Sequence, residues 1–379
     1  MSKILETLVN QSFLDEFNVL EDPRSTRNRL HQMNEILLAT FVGIICGGEG
    51  WQDIQDCARA KIEYLRKFLA YKNGAPSDDT YRRFFRHLNP KSLQELLRIW
   101  ISKIKRTVQD QSIAIDGKTS RRTFDDNQSP LHMLTAFASE SRLVLGQQKT
   151  ATKSNEITAI PELLKMLDTA GKIITLDAMG CQYKIADQII AQKGDYIFSL
   201  KGNQGGLLED VTPYFYDKKE KNSADYSYFE DVDKGHGRIE IRKCWSTNEI
   251  YWLKNKRKDW QTIESIICIE SIRKIKNNES TETRYYISSI KNFTAERFLK
   301  AIRSHWSIEN SLHWTLDMSM GDDYSRIRKG NAPENMLIIK HIILNKLQQV
   351  KDKRPRSSIK RLRKMAGWDD TILDEILFQ

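Results

Sequence analysis

The segment Ile113-Ala-Ile-Asp116-Gly-Lys118 decides how this chain is read. Ile113 and Ile115 alternate with small or polar neighbours and show no helical repeat, which predicts a short buried strand that delivers Asp116 at its end. Gly117 lets the backbone turn and leaves the carboxylate uncrowded. A second stretch of the same design, Lys172-Ile-Ile-Thr-Leu-Asp177-Ala-Met-Gly180, again runs apolar residues into one Asp with a Gly close behind. Side by side, the two strands bring two carboxylates together, and like-charge repulsion makes that costly without a cation between them. Hard divalent ions such as Mg²⁺ take oxygen ligands, so the pair predicts metal-dependent attack on a phosphodiester. A strand-end Asp also serves as a turn or helix cap, the competing role for each acid taken alone.

Outward from these strands, residues 109–205 read as an alternating series. Leu131 to Ala138 and Arg142 to Lys149 form a hairpin turning at Ser139-Glu-Ser141, and Ile157 to Leu167 is an amphipathic helix. A helix over Cys181 to Gln192 and a strand at Tyr196 to Leu200 follow the second acidic strand. Three strands, helix, strand, helix, strand is the order of an RNase H-like α/β core, in which the first and fourth strands adjoin. Residues 206–290 read as strands rich in Tyr, Trp and Ile, a β-rich insertion in that core. Its connections carry Lys254, Lys256, Arg257 and Lys258, and Lys234-Gly-His236-Gly-Arg238 lies near its start, as a phosphate-approaching loop or an ordinary hairpin turn. Tyr285 to Ser289 reads as the strand that returns to the core.

Residues 291–350 open on a well-signalled helix, with Thr294 as N-cap, Glu296 in the first turn and Phe293 and Phe298 as a hydrophobic staple. His305, Glu309 and His313 recur along it every four positions and share a face. They could bind zinc, although the usual zinc helix spaces its two histidines four apart, not eight. Glu309 as a third carboxylate for the metal site is the better use, with Asp317, Asp322 and Asp323 as rival donors. A helix from Pro333 to Val350 follows.

Residues 1–108 read as a mainly helical N-terminal domain. Ser77 caps a helix presenting Arg82, Arg83 and Arg86, like the DNA-reading second helix of a helix-turn-helix or, equally, a solvated basic face. Residues 351–379 form a basic C-terminal tail with eight Lys or Arg between Lys351 and Lys364. The 379 residues hold 60 Lys+Arg against 50 Asp+Glu, a formal charge of +10 that favours a polyanionic partner. Five scattered cysteines without C-x-x-C spacing fit a reducing cytoplasm and exclude a zinc knuckle or disulfide scaffold. The longest apolar run, Ile36 to Cys46, is too short to cross a bilayer, and Met1-Ser-Lys-Ile-Leu-Glu does not read as a secretory leader.

Several motifs in order are similar to those of the H-repeat-associated transposases of bacterial insertion sequences. They are Asp116-Gly-Lys118, Ser154-Asn-Glu156-Ile-Thr-Ala-Ile-Pro161-Glu-Leu-Leu, Asp177-Ala-Met-Gly-Cys181-Gln, Leu200-Lys-Gly-Asn203-Gln, His236-Gly-Arg238, Tyr285-Tyr-Ile-Ser-Ser and Arg303-x-His305-Trp-x-Ile-Glu309-Asn-x-Leu-His313-Trp-x-Leu-Asp317. The resemblance spans nearly the whole chain. It implies an RNase H-like DDE transposase with Asp116, Asp177 and Glu309 as the acidic triad, using Mg²⁺, with Mn²⁺ as a substitute, to cleave and transfer DNA strands. The implied partners are double-stranded DNA, both element ends and target, and a second copy of the chain on that DNA; no membrane or small-molecule substrate is implied, and the place of action is the cytoplasmic nucleoid.

Lys118, Lys201, Asn203, His236 and Arg238 are then the expected phosphate and backbone contacts. One departure stands out. Related transposases with a β insertion carry a Tyr-Arg-Glu-Lys signature, but those places around Glu309 hold Ile302, His305 and Leu316. Its basic roles would pass to Arg303, His305 or Arg326. Two alternatives share these features: a hydrolytic nuclease that stops at cleavage, and a catalytically silent relic that only binds DNA.

Overall fold

The computed structural model describes residues 13–27, 29–104, 111–124, 129–150, 155–220, 226–235 and 237–378, without the side chains of 217–220. Its centre is a nine-stranded mixed sheet in the order β3-β2-β1-β4-β5-β9-β8-β7-β6. The first five strands are β1 (Ser112–Ser120), β2 (Leu131–Ala138), β3 (Leu143–Thr150), β4 (Ile173–Leu176) and β5 (Asp195–Leu200). β1, β2 and β3 form an antiparallel meander, while β4 joins β1 and β5 joins β4 in parallel. That is the RNase H-like arrangement, with the first and fourth strands adjacent.

The β-rich stretch consists of β6 (Ser227–Gly235), β7 (Arg238–Thr247), β8 (Ser265–Ile275) and β9 (Asn278–Ser288), each antiparallel to the next. β9 pairs antiparallel with β5, Ser288 opposite Ile197, so the Tyr285 segment does return to the core and the insertion extends the same sheet. Its first part departs from the sequence reading. Residues Gly205–Glu220 are a helix, not a strand, because Leu207, Val211 and Phe215 recur every four positions and bury together.

Alternation along β1 sorts its side chains to the two faces of the sheet. Ile113 and Ile115 pack with Leu134, Ile160, Leu163 and Ile185, under the helices Glu156–Lys165 and Tyr183–Ala191. Ala114, with Met133 and Phe137, faces the opposite layer, which is built from both ends of the chain. In that layer the helix Ala332–Lys353 is buried nearly all round and packs against Met33–Ile45, Asp78–His87, Pro90–Lys103, Ile359–Trp368 and Asp370–Leu377.

Residues 351–379 are therefore not an appended tail. Ile359, Leu362 and Ala366 enter the common core, and the buried Arg363 guanidinium donates to the carbonyls of Ile44 (2.7 Å) and Gly48 (3.0 Å). Lys353, Arg354, Arg356, Lys360, Arg361 and Lys364 remain exposed. The arginine-bearing helix Asp78–His87 also departs from a helix-turn-helix: between it and Trp51–Ala60 lie Lys61 to Ser77, including a helical turn, in place of a turn of three or four residues. Its Ser77 cap is as expected, accepting from the Thr80 amide at 3.4 Å.

Candidate active site

The register between β1 and β4 sets Ile115 opposite Leu176, so Asp116 and Asp177 come next, side by side, where β4 ends. Strand β1 itself does not end at Asp116 or turn at Gly117, as the sequence suggests, but runs on to Ser120 paired with β2. A turn fixes Asp177: its Oδ1 accepts from the amides of Met179 (3.0 Å) and Gly180 (3.3 Å). Asn203 donates to the Ala178 carbonyl and Gln204 to that of Cys181 at 2.9 Å, pinning this turn from the end of β5.

Glu309 comes from a third segment. The helix Ala295–His305 carries the expected cap and staple, Thr294 Oγ1 accepting from the Arg297 amide at 3.4 Å and the Phe293 and Phe298 rings 5.3 Å apart. It does not run on as one α-helix. Ile308–His313 is a π-helical turn, followed by α-helix Trp314–Met320. Such turns insert a residue and often occur at functional sites. Ile302, Leu312 and Leu316 stay in the core on either side while Glu309 is exposed, which accounts for apolar residues at two of the signature positions.

Asp116, Asp177 and Glu309 line one cavity of about 160 Å³. Burial, with the charges of Asp177, Glu309 and Glu156, pushes the Asp116 carboxyl up to about 7, against a hydrogen bond from Gly117 that lowers it. Carboxylates that crowd Asp116 in this way form an all-oxygen donor set suited to a hard divalent cation. Among the described residues no three His, Cys, Asp or Glu side chains are already drawn together as a metal cage; the three acids line the cavity from separate walls. His305 Nδ1 lies 2.9 Å from Thr175 Oγ1, and His313 Nδ1 lies 3.7 Å from Asp116 Oδ2. Burial lowers both imidazoles to about 4, helped for His313 by Lys118 and opposed for His305 by Asp177. Both rings are thus neutral near pH 7, and His305 is no cationic clamp for phosphate.

The rival acids are occupied elsewhere. Asp317, Asp322 and Asp323 surround Lys118, and Asp322 also meets Lys340 at 3.1 Å and Ser120 Oγ at 2.7 Å. Lys118 is accordingly a structural cation, and Asn203 a tether for the Asp177 turn, rather than the free DNA contacts expected of them. Lys201 is exposed and lines the acid cavity. Arg238 and Arg303 line a second groove and pair with Glu240 at 3.1 Å and Asp231 at 2.7 Å. Arg326 is exposed. Arg82 and Arg83 are exposed and pair along their helix with Asp78 (2.9 Å) and Asp79 (3.4 Å), and Arg86 is exposed beside them. His236 and Ser154 lie outside the described residues.

One arrangement escaped the sequence reading. Glu156 and His132 are both buried, with Glu156 Oε1 2.6 Å from His132 Nε2 and Thr119 Oγ1 2.7 Å from His132 Nδ1. A Cβ on Gly117 would lie 2.4 Å from Glu156 Oε1, so the pair packs directly on the residue next to Asp116. The available signal was His132 itself, a polar residue inside the apolar run of β2, since buried polar groups require partners.

Two adjacent parallel strands and a later helix that bring three acids to one cavity define the architecture of a DDE transposase. The family described as "Transposase DDE domain" matches residues 107–346, and one described as "DDE_Tnp_1-associated" matches residues 14–101. The chain belongs to the DDE transposase family. It is 38% identical over 373 residues to "H repeat-associated putative transposase YhhI" of Escherichia coli K12, covering 97% of this chain and 98% of that one. It is likewise 38% identical over 375 residues to "Putative transposase YncI" of Escherichia coli O157:H7, covering 97% and 94%. A piggyBac transposase synaptic complex with hairpin DNA aligns over 98% of this chain and 80% of that one, at 12% identity and a TM-score of 0.45. Among the described residues no helix is long and apolar enough to cross a membrane.

Proposed function

We propose that this transposase cuts DNA at the ends of an insertion sequence and transfers the freed 3′-hydroxyls into target DNA. The observation that carries the reading is the meeting of Asp116, Asp177 and Glu309, from β1, β4 and the π-turn, on one cavity that presses the Asp116 carboxyl up to about 7. These three acids would hold Mg²⁺, or Mn²⁺ in its place. When bound, the metal supplies a nucleophile at neutral pH and stabilises charge on the leaving oxygen.

The remaining work belongs to the chain's own residues. Met179 and Gly180 amides and the Asn203 tether hold Asp177 in place, so little reorganisation is left for the reaction. Lys201 at the cavity rim offers a mobile positive charge to a phosphate. In the first step water oxygen bonds to phosphorus as the bond to the 3′-oxygen breaks, which frees a 3′-hydroxyl. In the second that hydroxyl attacks a target phosphodiester and displaces another 3′-oxygen. The first step is a hydrolysis that leaves a 5′-phosphate on the other strand end; the second exchanges one phosphodiester for another and requires no external energy. Joining two ends to one target makes a dimer on DNA the natural assembly, with the cytoplasmic nucleoid as its place of action.

The test is cleavage and joining on duplexes carrying the DNA that flanks the reading frame, with Mg²⁺, for wild type and Glu309→Gln. Cleaved and joined products from the wild type, lost in the variant while DNA binding persists, are expected. Cleavage without joining would make the protein a hydrolytic nuclease. An inert wild type that still binds those ends would make it a silent DNA-binding relic, and an active variant would remove Glu309 from the triad.

A further inference from the structure

One face of the β-rich extension presents a second charged surface beside the acids. Side chains alternate across a strand, so Arg238, Glu240 and Arg242 of β7, Arg273 of β8, and Glu282 and Arg284 of β9 share a face. The register sets Glu240 opposite Arg273, and the helix Ala295–His305 adds Arg303 from the other wall. Together these residues line a groove of about 670 Å³. The groove adjoins the acid cavity: Arg284, Tyr286, Ile302 and Trp306 line both.

The guanidiniums are held in place by a smaller set of acids. Arg284 donates twice to Glu282, at 2.8 and 2.9 Å. Glu240 serves Arg242, Arg238 at 3.1 Å and Arg273 at 3.9 Å. Asp231 serves Arg303 at 2.7 Å and Arg242 at 3.5 Å. Even with Asp233 counted, five arginines outnumber the acids around them. Carboxylates shared in this way orient the guanidinium forks while leaving net positive charge, and such forks match phosphate oxygens bidentately.

We propose that this arginine-lined groove holds the sugar-phosphate backbone of the DNA strand that enters the acid cavity. The proposal rests on the transposase reading above and deepens it by naming the path of the substrate. It also separates the groove from the exposed basic face of the helix Ile359–Trp368, one of the other concentrations of positive charge noted in the sequence.

The test is equilibrium binding of a fluorescent duplex taken from the DNA flanking the reading frame, over a series of salt concentrations and without divalent ions. Arg238→Gln/Arg273→Gln is compared with Lys360→Gln/Arg361→Gln/Lys364→Gln, each checked for an unchanged melting curve. The groove variant should bind about tenfold more weakly, and its slope of log affinity against log salt should be shallower by about two. The helix variant should match the wild type. Wild-type affinity and slope in the groove variant, or the whole loss in the helix variant, would overturn the proposal. Should the groove variant melt early, a photoreactive p-benzoylphenylalanine at Ser280 in the groove replaces it: cross-linking to the duplex supports the path, and its absence while binding is intact rejects it. Binding is read apart from cleavage, so an inert wild type that needs these arginines to bind would sink the catalytic reading and leave the groove standing.

Discussion

Lys118 Nζ stands 2.7 Å from Asp317 Oδ1, and so ties the strand that carries Asp116 to the helix that follows Glu309. The same ammonium lies 3.2 Å from Asp323 and 3.8 Å from Asp322, whose other oxygen meets the buried Lys340. Burial alone would lower the Lys118 ammonium's pKa, but Asp317, Asp322 and Asp323 raise it above its usual value. Two elements far apart in sequence thus meet through one cation, within two residues of the first acid. Lys118→Met strands three carboxylates around an apolar side chain. We expect it to cost about 3 kcal/mol, the scale for removing one partner of a buried pair, and to abolish cleavage while DNA binding survives. Urea unfolding measures the first and strand cleavage the second; a variant of wild-type stability would show that the network does not hold the site together.

The Asp116 carboxyl, pushed up to about 7, makes the metal-free protein's stability depend on pH. An acid whose folded pKa exceeds its unfolded value binds more protons when folded. Its favourable contribution is therefore present below the unfolded value, near pH 4, and is lost as the pH rises through about 7. Above that pH the charged Asp116 opposes folding by up to about 4 kcal/mol. Asp116→Asn should raise the metal-free melting temperature at pH 8 and change it little at pH 4. His305 and His313, lowered to about 4, act in the opposite sense: their contribution is present above pH 6.5 and lost as the pH falls toward 4. At pH 8 both histidines are neutral in either protein, so the difference there reads Asp116 alone. An equal melting shift at both pH values would mean that its proton is not coupled to folding.

Gly117 leaves no room for a methyl group. Its Cβ would stand 2.4 Å from Glu156 Oε1 and 2.6 Å from His132 Nε2. Gly117→Ala should destabilise the fold by about 3 kcal/mol, as forced overpacking does. Glu156→Ala should cost about as much by itself, because it leaves His132 buried without its carboxylate partner. Combined, the changes should cost less than their sum, since the second removes the nearer of the two side chains that the first collides with and frees His132 to shift. A double-mutant cycle by urea unfolding reads the coupling, and strict additivity would mean that the clash is relieved elsewhere.

The core half of the architecture, and the three acids that line its cavity, were legible because their signals are local. Ile113 and Ile115 alternate into Asp116, the β4 stretch repeats the design, and Phe293 and Phe298 announce the helix that leads to Glu309. What escaped depends on distant partners or masked patterns. Nothing beside Lys118 reveals acids that arrive two hundred positions later, about the separation to Asp317 through Asp323, so its charge reads as a free cation. Arg363 sits in a basic run, yet its acceptors are the carbonyls of Ile44 and Gly48. In Gly205–Glu220, two leading glycines and Pro213 obscure a four-residue repeat of buried side chains that tertiary packing turns into a helix.

The π-turn Ile308–His313 gives the last prediction, because its extra residue reconciles two demands on one helix. Phe298 and Ile302 before it, Leu312 within it, and Leu316 and Met320 after it are all buried, while Glu309 must reach the acid cavity. A continuous α-helix advances about 100° per residue, so deleting Asn310 would swing one apolar side out of the core or turn Glu309 away. We expect the deletion to lower stability by several kcal/mol and to remove the stabilisation that the proposed binding of Mg²⁺ or Mn²⁺ would give the wild type. Asn310→Ala keeps the residue count and should stay within about 0.5 kcal/mol of wild type, as exposed substitutions do, with its response to the ions intact. Thermal melts with and without the ions separate the two variants. A deletion protein that melts like the wild type and still responds to the ions would mean that Glu309 is aimed by something other than the π-turn.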